Sequence, residues 1–155
     1  MKPTNILYPL ALVCMLFVTS SALSPGSSQA DRFLTDKNEI TVVITDSGLG
    51  GLAVMEDIAG KMVRSGYYKK VNLVFVNALF DPDRGYNALP ARDQKIDVFN
   101  GVLYGIAKHI QPDVILIGCN TLSVIYKDTP FVKESVIPVL GIVEPGVKLI
   151  EASMA

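Results

Sequence analysis

A chain of 155 residues, half of them hydrophobic, is long enough for one domain with a real core and too short for two full-sized ones. That composition excludes a disordered chain, and a formal charge of −1 without runs of like sign gives no footing for nucleic acid or an anionic surface as partner. One histidine and two cysteines cannot build a zinc cluster, and no metal is expected.

The first thirty residues, MKPTNILYPLALVCMLFVTSSALSPGSSQA, read as a segment apart. Lys2 supplies a basic start, Ile6 to Val18 is apolar, and small polar residues follow. The apolar run is too short for a comfortable membrane span, and the order of parts is that of a secretory signal. Ser20-Ser21-Ala22 and Ser28-Gln29-Ala30 offer cleavage near 22 or near 30, and an uncleaved anchor is the alternative. The expectation is a periplasmic or secreted protein with a signal over 1–30, a linker over 31–38 and one α/β domain over 39–155. Cys14 lies inside the run as filling, so cleavage leaves Cys119 as a lone thiol. Such a thiol is buried and inert, paired with another chain, or chemically employed.

From Glu39 onward, short β-branched runs alternate with amphipathic ones. Ile40 to Thr45 reads as a buried strand. Leu52 to Val63 reads as a helix with Leu52, Met55, Ile58, Ala59, Met62 and Val63 inward, ended by Gly66. Val71 to Val76 is a second strand, followed by a polar loop from Asn77 to Pro90. Ala91 to Ile110 predicts a long helix with Ile96, Phe99, Val102, Leu103, Ile106 and Ile110 inward. Asp113 to Ile117 is a third strand, and a shorter helix follows Thr121 and ends before Pro130. Val139 to Val143 is a fourth strand, after which Glu144-Pro145-Gly146 opens a last helix. Apolar strands between helices indicate an open, doubly wound parallel sheet of about four strands with flanking helices. Ligands of such sheets bind beyond the carboxyl ends of the strands. Three places qualify: Asp46 to Gly51, Asn77 to Arg92, and Gly118 to Thr121.

The first holds DSGLGGL. A dinucleotide fingerprint fits only if Ala53 is accepted as its last small residue, and no acid follows Val76 to hold a ribose. The Walker pattern fails because no Gly-Lys-Ser/Thr follows. A plain turn needing positive φ is the structural alternative. The third place holds Cys119, directly after a strand and before a helix, where the helix dipole favours thiolate. Asn120 and Thr121 beside it are able to hold a carboxylate. A small buried hydrophobe is the alternative reading of an isolated cysteine. His109 lies near the end of the long helix beside Lys108 and reads as a solvated last-turn residue.

DSGLGGL (Asp46–Leu52), GCNTLS (Gly118–Ser123) and IPVLGIVEPG (Ile137–Gly146) stand in order at successive strand ends. Together they resemble the aspartate/glutamate racemase superfamily, with the motifs of glutamate racemases the nearest. The resemblance implies a flavodoxin-like half of a two-domain enzyme, from about Ile40 to the end of the chain. It implies a cofactor-independent reaction in which cysteines on opposite faces remove and return the α-proton of a small amino-acid substrate. Cys119 matches the first cysteine, Asp46 lies near the reacting centre, Ser47 holds substrate, and Asn120 and Thr121 bind the α-carboxylate. Tyr86 and Asn87 occupy the region of the family's Pro-Tyr-Gly without reproducing it and are expected to bind substrate, but a preference for glutamate over aspartate does not follow. The second cysteine, followed by Thr and His, has no counterpart in this sequence. The chain is accordingly expected to be a first half, its site completed by a second domain, a partner chain or a homodimer. A non-catalytic module binding a small amino acid or carboxylate is the reading from another class.

Overall fold

The structure is a computed structural model and describes residues 37–79 and 85–154. The expected signal segment and most of the linker lie outside the described residues.

Four parallel strands, β1 (Glu39–Asp46), β2 (Lys70–Asn77), β3 (Val114–Ile117) and β4 (Val139–Gly141), form one sheet in the order β2-β1-β3-β4. Helix α1 (Gly51–Ser65) joins β1 to β2, and α2 (Arg92–His109) joins β2 to β3 after a 3₁₀ turn at Tyr86–Ala88. Helices α3 (Asn120–Tyr126) and α4 (Phe131–Glu134) lie between β3 and β4, and α5 (Val143–Met154) follows β4. This is the doubly wound α/β architecture expected from alternating apolar runs, with its switch point between β1 and β3.

Residue alternation along β1 divides the core. Ile40, Val42 and Ile44 point to one face, where Val114 joins them and Met55, Ile58 and Met62 of α1 cover them. Val43 points to the other, beside Ile115 and Ile117, under Phe99, Leu103 and Ile106 of α2 and Leu122 and Ile125 of α3. Burial on both faces is why these strands are apolar throughout rather than alternating.

The elements differ from expectation at particular residues. In α1, Leu52 and Val63 are exposed, so the buried stripe is narrower than the one assigned from spacing. Gly66 does end that helix, in the left-handed region at φ 61°, a conformation glycine adopts without a Cβ penalty. Strand β4 stops at Gly141, and Val143 belongs to α5 rather than to the strand. The Ile142 carbonyl already accepts the Gly146 N–H at 3.2 Å, so the helix is under way by that point. Pro145 is then the third helical residue, where a missing N–H still leaves no bond unmade. Helix α4 was not expected. Its Phe131 is buried against the core, and its N–H donates to the Asn100 side chain of α2 at 3.1 Å.

Candidate active site

The register of the sheet carries the site. Thr45 of β1 pairs with Ile117 of β3, so the side chains two residues on, Ser47 and Cys119, emerge as neighbours on one face. The Gly118 N–H donates to the Thr45 carbonyl at 2.9 Å and extends the pairing to the strand ends. Ser47 Oγ and Cys119 Sγ lie 3.2 Å apart, a hydrogen bond in which either atom can donate. Cys119 is half-buried and is the free cysteine among the described residues.

Asp46, one residue earlier, emerges on the opposite face, and its carboxylate folds back under the glycine loop. Oδ1 accepts the Gly48 N–H at 3.2 Å, and Oδ2 accepts the Gly51 N–H. Its link to the thiol runs through Ser47, whose hydroxyl lies 3.4 Å from Oδ1. The loop glycines therefore serve a different purpose from the positive-φ turn. Left-handed glycines among the described residues are Gly66 and Gly85, outside this loop. A Cβ at Gly51 would stand 2.9 Å from Asp46 Cβ and 3.0 Å from the Phe75 ring, so the absent side chain is what lets the carboxylate in.

Asn87, exposed in the 3₁₀ turn, donates from Nδ2 to Ser47 Oγ at 3.4 Å. Tyr86 is enclosed in the core rather than turned to the opening. Its hydroxyl donates to the Lys95 carbonyl at 2.7 Å. Burial, and then the neighbouring Cys119, push the Tyr86 phenol up to about 12, against a smaller opposing pull from Arg92.

Asn120 and Thr121 line an open cleft of about 450 Å³ together with Arg92, Lys95, Val124 and Ile125. Cys119 is not among the residues lining that cleft and sits just beside it, joined through Asn120. Of the residues picked out in the sequence, the structure brings Ser47, Cys119, Asn87 and Asp46 together as one hydrogen-bonded group, and Asn120 with Thr121 as a second. Four supporting residues were missed. Arg92 and Lys95 bring two cations to the cleft, Arg92 paired there with Asp128. Asn77 donates to the Gly48 carbonyl at 2.7 Å and accepts from the Leu79 N–H at 3.0 Å, pinning the glycine loop. Ser123 donates to the Cys119 carbonyl at 2.7 Å and accepts from the Ile142 N–H at 3.2 Å, tying the cysteine's backbone to the end of β4. Asn77 was visible as a polar residue ending an apolar strand, and Ser123 as the last residue of GCNTLS. Arg92 and Lys95 carry no local signal, since charged residues in the first turns of a helix are ordinary.

The chain is similar to a glutamate racemase of Aquifex pyrophilus, with 34% identity over 105 residues, covering 68% of this chain and 37% of that protein. It thus spans a little over a third of the length of the curated relative it matches. No protein-family profile matches the chain, and no solved structure matches it at a significant level. The similarity supports a relationship between this chain and the racemase family.

Proposed function

We propose that this chain carries the proton-abstracting half of a cofactor-independent racemase acting on an acidic amino acid of the glutamate or aspartate type. The observation that carries the reading is the contact between Ser47 and Cys119 at the β1/β3 crevice. Cys119 is the base in this reading. As its thiolate takes the α-proton, the Cα–H bond breaks, an S–H bond forms, and the electron pair stays on the α-carbon, delocalised into the carboxylate. The Asn120 amide and Thr121 hydroxyl are the groups for that carboxylate, and Lys95 on the same cleft, beside an Arg92 paired with Asp128, favours the added negative charge. Export is part of the proposal, on the pattern of the first thirty residues.

One thiol serves one face of the substrate, and inversion needs a second group on the other. The purified 155-residue chain is therefore expected to exchange the α-hydrogen of glutamate or aspartate in deuterated buffer with retention of configuration. Cys119→Ser removes the exchange while leaving binding intact. Rapid inversion by this chain alone would sink the one-thiol account. A second reading, binding without chemistry, is favoured by the openness of the cleft and by Cys119's position beside rather than in it. It is the outcome if neither the parent nor Cys119→Ser exchanges while both bind.

A further inference from the structure

Three groups surround the Ser47 hydroxyl, and two of them, Asp46 and Cys119, compete for its single proton. The Asn87 amide donates into Ser47 Oγ at 3.4 Å and occupies one of its lone pairs. An ionised Asp46 only accepts, and its Oδ1 lies 3.4 Å away, already engaged by the Gly48 N–H at 3.2 Å. Cys119 Sγ lies 3.2 Å away, close for a sulfur contact, and changes its demand with its protonation state. As a thiol it has a proton to give, and as a thiolate it can only accept.

From this geometry we infer that Ser47 is a positioning residue for the Cys119 thiolate, and that Asn87 sets the direction in which Ser47 donates. While Cys119 is a thiolate, the Asn87 N–H fills one side of the serine oxygen and the serine proton points at Sγ. Once Cys119 has gained a proton, its S–H fills the second lone pair of Ser47, and the serine proton turns to Asp46 Oδ1. No proton leaves the group in that turn; one O–H···S⁻ bond is exchanged for an S–H···O bond and an O–H···O⁻ bond. Ser47 is thus assigned a task toward sulfur that differs from holding substrate. The charged and titratable groups around this triad are Asp46 at the end of β1, Tyr86 in the 3₁₀ turn, and Arg92 and Lys95 at the start of α2, with Asp128 paired to Arg92.

The inference rests on the reading of Cys119 as the proton-transferring thiol, but its test needs no amino acid. The rate at which iodoacetamide alkylates Cys119 in the full chain, read by peptide mass to separate it from Cys14, reports the thiolate across pH. Ser47→Ala is expected to slow alkylation at neutral pH roughly tenfold, the scale of one hydrogen bond to a charged group. The pH profile of the reaction moves upward with it. Ser47→Thr, which keeps the hydroxyl, restores most of the rate. Asn87→Asp, which turns a donor into an acceptor, slows alkylation in the parent and much less in the Ser47→Ala background. A parent-like profile in folded Ser47→Ala overturns the inference. So does an Asn87→Asp effect that is equal in both backgrounds, the mark of a plain charge. Should Ser47→Ala fail to fold, exposed Asn87 still decides: Asn87→Asp slower than Asn87→Ala at high salt supports the inference, and equality overturns it. Missing α-hydrogen exchange alongside the expected alkylation pattern would sink the racemase reading alone.

Discussion

A methyl group at Gly51 would collide with both the Asp46 side chain and the Phe75 ring. Asp46 is held by the loop's own N–H groups, and Phe75 packs in the layer beneath α1. Gly51→Ala should therefore cost about 1–3 kcal/mol, the usual range for overpacking a closed site. Gly48 has no neighbour within 4 Å of its missing Cβ and no positive φ, so Gly48→Ala should be nearly silent. Urea denaturation of the two variants makes the comparison; equal losses at both positions would refute the packing account. The three glycines look alike in sequence. They differ in which of them faces a carboxylate, and that depends on how Asp46 turns after leaving β1.

At the scale of elements, parity decides what meets what. The ends of β1, β2 and β3 were legible in the sequence because the apolar runs are short and bounded by polar residues and glycine. The partition of neighbours was not. Asp46 and Ser47 are adjacent in the chain, yet one braces the α1 side and the other meets Cys119. That split follows from the pairing of Thr45 with Ile117, a long-range fact. Tyr86 shows the same limit, since a tyrosine in a polar loop reads as a ligand-facing group. Here its hydroxyl binds the Lys95 carbonyl and fastens the 3₁₀ turn to the first turns of α2. Its phenol is raised from 10.0 to about 12, so between those values the folded chain keeps a proton that the unfolded chain has released. The contribution is complete below pH 10 and is lost as pH rises through 12. The urea midpoint of the parent should fall across that window, and Tyr86→Phe should fall less steeply. Parallel slopes would show that Tyr86 is not the responsible group.

Over the whole molecule, the open parallel sheet with flanking helices was legible because alternation of strand and helix leaves few ways to wind the chain. The unexpected short helix α4 and the early end of β4 were not, because both depend on what Phe131 and Ile142 touch rather than on local pattern. The signal reading of residues 1–30 predicts a mature chain beginning near residue 23 or 31 on expression in a secreting host. Intact mass is the measurement, and a product that retains Met1 or Lys2 in the exported fraction would refute it.

Beyond these, the clasp at the other end of the sheet has a practical side. Lys37 pairs with Asp113, and Asp113 also accepts the Thr41 N–H at 2.8 Å, so the described chain enters the fold where β1 and β3 begin. The eight residues of β1 then separate that entrance from Ser47 and Cys119 by roughly 25 Å, at ~3.3 Å per residue. An affinity tag, a bead or a surface linker attached ahead of Lys37 would hold the molecule by its far end, leaving the thiol and the cleft facing outward to reagents.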